Sequence, residues 1–293
     1  MKLKQPLIVL TAAAITGCAY AAVNQIEIEE NNRYRYIESN GIPDHSHGNF
    51  PNRGNPNAIS AQNHRFRMPA NPVKAGNITQ LRLQPFGVAL NGIPFDPGAA
   101  EFWRNDRSSG WQYEAMSGAI PLGIDFNNAH VQPSGAYHYH GIPTGLVDKL
   151  STNNQMTLIG YAADGFPIYS QYGYRKPMDS TSGLRKLSSS YQLKQGQRPS
   201  GNRGPGGRYD GTFVQDYVYR AGSGDLDQCN GRTGVTPEYP NGIYHYFLSD
   251  QYPFIPRCFV GTPDSSFAKK RGPGPGQGQP RHRHRGSERP HHH

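Results

Sequence analysis

The 293-residue chain carries 30 Lys and Arg against 21 Asp and Glu, a formal charge of +9, but that charge sits at the two ends. Residues 265–293 hold seven basic residues against Glu288 alone, and Lys2 and Lys4 account for two more positive charges, so the stretch between is close to neutral. The high pI therefore describes the termini, and the body of the chain gives no electrostatic reason to expect a nucleic-acid partner.

In chain order, Lys2 and Lys4 precede an apolar run, Leu7 to Ile15, that is too short to span a bilayer and reads as a cleavable export signal. Ile15-Thr16-Gly17-Cys18 fits a loose lipobox. That predicts a lipoprotein-type signal over residues 1–18, lipidation of Cys18 and a membrane anchor. Ala19-Tyr20-Ala21 offers a competing cleavage site after residue 21, which would release a soluble secreted or periplasmic protein. Both readings are extracytoplasmic. Once Cys18 is used, Cys229 and Cys258 remain as an even pair, and one disulfide is the simple expectation in an oxidising compartment.

Residues 25–264 suit a single mostly-β, sandwich-like domain with long Gly/Pro-rich loops and few short helices. Gly and Pro interrupt most windows before two helical turns complete. Runs of β-branched and aromatic residues predict strands at 33–38, 78–83, 156–161, 212–219 and 243–248, with one helix near 145–150. The Ser-, Gly-, Arg- and Gln-rich stretch 178–208 reads as a long surface excursion. Residues 265–293, rich in Gly, Pro, Arg and His, have a composition that cannot bury a core, and a disordered tail is expected.

Asn-Gly-Ile-Pro occurs at Asn40–Pro43 and again at Asn91–Pro94, each followed by an aspartate, Asp44 and Asp96. These are tight turns. The first also delivers His45, one half of an H-x-H pair with His47.

The string with the most chemistry is Pro133-Ser134-Gly135-Ala136-Tyr137-His138-Tyr139-His140. A turn launches a strand, and alternation puts His138 and His140 on one face and both tyrosines on the other. The phrase returns 107 positions later as Pro240-Asn241-Gly242-Ile243-Tyr244-His245-Tyr246, with Phe247 where the second His would stand. If the two strands pair or face each other, His138, His140 and His245 form a three-nitrogen set with an open position, suited to copper or zinc. His130 is placed to add a fourth ligand or to support one, and His45 is a further candidate. Asp164 and Asp125 are candidate carboxylate partners, against the commoner role of an aspartate that bonds the backbone of its own turn. His64 lacks such context and reads as a surface residue.

No G-x-S-x-G, P-loop or H-E-x-x-H occurs, against common serine hydrolases, nucleotide enzymes and zincins. Whether the chain is an enzyme stays open. The rival to a metal or small-ligand protein is a cell-surface binding or structural module. Phe102-Trp103 and Gly110-Trp111 would form a sugar-stacking groove, and the histidines would be hydrogen-bonded in the core.

The chain resembles the YHYH protein family, whose tetrapeptide stands here at Tyr137–His140. Supporting phrases are Ser39–His45, Gly92–Gly98, Ala129–Pro133, Gly160–Gly165 and the stretch from Cys229 to Cys258, so the likeness spans most of Glu38 to Thr262. It implies export and no particular reaction. A weaker similarity to copper-binding strands of cupredoxins does not extend to a type 1 centre, which needs a thiolate.

Overall fold

A computed structural model describes residues 22–151 and 155–268. The segment read as an export signal, with Cys18, and the Gly/Pro/Arg/His-rich segment beyond Ala268 lie outside the described residues.

The chain begins with an antiparallel meander, β1 (Ile26–Glu30), β2 (Tyr34–Ser39) and β3 (His64–Pro69). Next come β4 (Thr79–Gln80), the hairpin β5 (Gly87–Ala89) and β6 (Pro94–Phe95), and the pair β7 (Gly98–Phe102) and β8 (Gln112–Glu114). The hairpin β9 (Ala129–Val131) and β10 (Tyr137–Tyr139) leads into the helix α1 (Thr144–Leu150). After it follow β11 (Leu158–Ala162), β12 (Pro167–Tyr169), β13 (Tyr172–Lys176), β14 (Asp179–Lys186), β15 (Tyr191–Leu193) and β16 (Tyr217–Tyr219). The described chain closes with β17 (Gly231–Gly234), β18 (Ile243–Phe247) and β19 (Cys258–Phe259), the last paired with β4. The fold is sheet-rich with a single α-helix among the described residues, as expected from the sequence.

Eight strands make the central sheet in the order β17-β18-β12-β11-β5-β6-β10-β9. That order is a duplication. In the first half, hairpin β5–β6 is joined to hairpin β9–β10 by a parallel β6–β10 pairing; in the second, β11–β12 is joined to β17–β18 by a parallel β12–β18 pairing. The halves meet at an antiparallel β5–β11 seam, where Gly160 faces Ala89, Ala162 faces Gly87 and Tyr161 faces Val88. Gly87-Val-Ala-Leu-Asn-Gly-Ile-Pro-Phe95 thus corresponds to Gly160-Tyr-Ala-Ala-Asp-Gly-Phe-Pro-Ile168. Even the turn bonds match: Gly92 N donates to Ala89 O and Gly165 N to Ala162 O, both at 2.8 Å.

The seam requires both glycines. A Cβ on Gly87 would run into the Tyr161 carbonyl, and one on Gly160 into the Val88 carbonyl.

The tyrosine face of the sheet supplies Tyr137, Tyr139, Tyr244 and Tyr246 to a core shared with Ile37, Phe66 and Met68 of the meander. This is the sandwich-like layer. A smaller core behind the second half joins Tyr169, Phe247, Tyr174 and Leu187, so the β13–β14 hairpin covers that side. The predicted surface excursion at 178–208 is thus partly paired strand. Its Ser- and Gly-rich sequence lacks apolar alternation because most of β14 is exposed or half-exposed. The stretch 78–83 yields only β4, and 212–219 splits into a 3₁₀ turn, Val214–Asp216, and β16.

Cys229 and Cys258 form a disulfide that ties the second half to β19. In the chain-entropy view, closing a loop of 29 residues stabilises by about 3.6 kcal/mol. The chain stays packed through Phe267, whose ring stacks on Phe66 at 4.6 Å, three residues into the segment read from composition as tail. His64 is half-buried and stacks on Phe66 at 5.4 Å instead of lying on the surface.

Gly160→Ala forces the seam strands apart. We expect a loss of about 1–3 kcal/mol in urea denaturation, the usual range for overpacking. An unchanged midpoint would contradict the close approach.

Candidate metal centre

Three histidines meet on the outer end of the sheet. β10 carries His138 and His140 through its pleat, and His130 on β9 lies directly opposite His138 in the antiparallel register. The ring centroids form a nearly equilateral triangle, with 4.6 Å from His130 to each of the others and 4.7 Å between His138 and His140. One ligand nitrogen from each ring lies within 4.8 Å of the other two, wider than the ~3.3 Å between ligands of a tetrahedral zinc site, so the rings would draw together around an ion.

Each ring is held differently. His130 Nδ1 lies 2.9 Å from the Leu122 carbonyl and His138 Nδ1 3.2 Å from the Ala136 carbonyl. His140 is 1% exposed, and neither of its ring nitrogens has a hydrogen-bond partner. Burial, reinforced by His138, His130 and Arg257, holds its imidazole well below the ordinary histidine range; the Pro97 carbonyl, outside hydrogen-bond geometry, opposes the shift. Burial also lowers His130, against the Leu122 carbonyl and the nearby Glu101, Asp96 and Asp125 charges. Neutral imidazole is the form that ligates a cation.

The triangle opens into a cavity of about 520 Å³ whose wall includes Glu101 on β7, together with Asn55, Asn57 and Gln132. Asp96, at the end of β6 beside β10, accepts from Gln132 Nε2 at 3.3 Å. Asp96 follows the second Asn-Gly-Ile-Pro phrase and so had a sequence signal. Glu101 had none.

The structure does not bring His245 to this site. β18 and β10 are separated by four strands, because the repeated phrases occupy equivalent positions in the two halves instead of adjacent ones. His245 Nδ1 lies 3.0 Å from the Ile243 carbonyl, repeating the His138 contact, but its neighbours differ: Arg232 stands where His130 is, Phe247 where His140 is, and Tyr169 where Asp96 is. His45 is also apart. It reaches the opposite face of β10, where its Nε2 lies 2.6 Å from Tyr139 Oη.

The other carboxylates bind the tyrosine face. Asp125 accepts from Tyr137 Oη at 2.8 Å and from the backbone of Gly48, Asn127 and Ala129. Its counterpart Asp227 accepts from Tyr244 Oη at 3.0 Å. Asp164, 1% exposed, accepts from Tyr246 Oη at 2.6 Å and Gly261 N at 2.9 Å, and is equivalent to Asn91, which donates to Tyr139 Oη at 2.9 Å. Asp164 thus lies in the second half, away from the three histidines.

Burial pushes the Asp164 carboxyl up to about 6 from 3.8. The native state therefore holds the proton more tightly than the unfolded chain, and this group lowers stability as pH rises from about 4 to about 6, with no further change above. Asp164→Asn removes the effect. Its stability relative to the parent should grow by roughly 2.4 kcal/mol between pH 4 and pH 7, read from urea midpoints across that range; a constant difference would refute the shift.

Among curated proteins and among solved structures no match was found. A family model described as YHYH protein matches residues 65–261, which contain the whole duplicated sheet and the histidine triangle. With two thirds of its length inside that match, the chain belongs to the YHYH protein family.

Proposed function

We propose that this is an extracytoplasmic metal-binding protein that holds copper or zinc through His130, His138 and His140. The observation that carries the reading is His140, buried inside a triangle of imidazoles with both nitrogens unpartnered. Leaving a buried polar group unsatisfied costs about 1–3 kcal/mol, and an ion at the triangle's centre offsets that cost.

The second half supports the same reading. It keeps the strands, the tyrosine–aspartate bond and the histidine-to-carbonyl contact with only His245 of the three histidines. The fold therefore does not need His130 or His140. That single retained contact is also what favours the rival, structural reading for His138 alone. Three nitrogens with an open face suit a reactive centre more than a closed structural one. Both described cysteines are in the disulfide, so no thiolate is available for a blue-copper site.

Export and, through Cys18, a lipid anchor belong to the same proposal. No helix among the described residues is long and apolar enough to cross a membrane. The tail histidines, His282, His284 and His291 to His293, are outside the described residues and would bind metal loosely, so they must be replaced in any test.

The full chain with those five histidines changed to Ala should take up one zinc or copper ion per chain. His138→Ala with His140→Ala should abolish uptake, whereas His245→Ala should retain it while lowering the melting temperature. Zinc at one hundred times its Kd should stabilise the parent by about 2.7 kcal/mol. Equilibrium dialysis with metal analysis decides the matter: no stoichiometric ion in the parent, or equal binding by the double variant, overturns the proposal.

A further inference from the structure

We infer that Glu101 is the proton acceptor of this centre and that the cavity takes a small uncharged acyl compound, an ester or amide, for hydrolysis. The inference rests on the metal reading above and adds a reaction class to it.

Glu101 lines the same cavity as the three histidines. Yet its oxygens are not in the ligand group that lies within 4.8 Å. A carboxylate in the wall of the cavity but outside the ligand group is left to act on a molecule held among the three histidines. Among the described residues Glu101 forms no ion pair, so its charge is not already neutralised by a Lys or Arg.

The wall selects the substrate by what it lacks. Apart from the histidines, Glu101, Asn55, Asn57 and Gln132, it is made of Gly, Ala, Pro, Leu and Val. It has no Lys or Arg to clamp a phosphate or carboxylate, and no Phe, Tyr or Trp on which a sugar ring would stack. Gly98, Ala99 and Ala100 add little side-chain bulk to the wall. The amide nitrogens of Asn55, Asn57 and Gln132 are spent on the Leu122 and Val131 carbonyls and on Asp96, so these side chains bring no charge and no spare N–H aimed at an anion.

An ion held by His130, His138 and His140 would supply a Lewis acid that makes water more acidic; Glu101 would take a proton from that water as its oxygen bonds to the acyl carbon and the carbonyl π pair moves onto the carbonyl oxygen, to return when the leaving group departs. The bond from that carbon to the leaving oxygen or nitrogen then breaks, and Glu101 returns the proton to the leaving group. One water is consumed, no electrons are transferred and no further reactant is needed.

The test uses the full chain with the five tail histidines replaced, loaded with zinc, and 4-nitrophenyl acetate as probe. Glu101→Gln should keep one zinc with affinity within about twofold of the parent, leave KM nearly unchanged and lower kcat about 100-fold, the low end for loss of a general base. Glu101→Asp, which restores the carboxylate, should recover part of that loss. Equal kcat in the parent and Glu101→Gln, or parent hydrolysis no faster than that of the His138→Ala/His140→Ala variant, overturns the role of Glu101 while leaving zinc binding standing. Failure of the parent to bind zinc overturns this inference, and failure to bind either zinc or copper overturns the metal reading with it.

Discussion

Tyr137 and Tyr139 are pinned from behind, and the geometry of the histidines depends on it. Tyr137 donates to Asp125, itself held by three backbone amides, and Tyr139 sits between Asn91 and His45. Because Asn91 donates to the Tyr139 oxygen, the phenol proton goes to His45 Nε2, and His45 carries its own proton on Nδ1 toward the Ser46 carbonyl. A three-residue strand anchored so firmly on one face has little freedom on the other. The pleat then fixes where His138 and His140 point.

The duplication provides an internal comparison that a single-copy fold would lack. At equivalent positions the first half has His130, His138, His140 and Asp96, and the second has Arg232, His245, Phe247 and Tyr169. One of four residues is shared, and it is the one whose ring nitrogen contacts the carbonyl two residues back in both copies. The substitutions match the surroundings. In the second half the β13–β14 hairpin fills the space with Tyr174 and Leu187, and Arg232 reaches the Tyr174 carbonyl at 2.6 Å. In the first half that space is the cavity.

The two halves also treat charge differently on the tyrosine face. Asn91 in the first half is a neutral donor, whereas Asp164 in the second is an acceptor whose burial raises its pKa. An amide and a carboxylate of the same shape fill one place because the tyrosine hydroxyl reverses its direction of donation. This exchange shows that the Asn/Asp-Gly turn is kept for its backbone, and that its side chain is free to vary within hydrogen-bonding limits.

The local features were legible from the residues alone. Alternation on Tyr137–His140 placed two imidazoles on one face, the Pro-x-Gly-x-Tyr-His-Tyr repeat marked two equivalent strands, and cysteine parity identified Cys229 and Cys258 as partners. These follow from the two-residue period of a strand and from the chemistry of short turns, which act over a few residues. Which histidine completes the set depends on long-range strand pairing. His130 joins because β9 returns antiparallel within one hairpin, while His245, carried by the matching phrase, is placed four strands away by the β5–β11 seam. A repeat tells that two strands are equivalent but not whether symmetry sets them side by side or at opposite ends. That choice belongs to Gly87 and Gly160, whose missing side chains let the two halves pair through their centre.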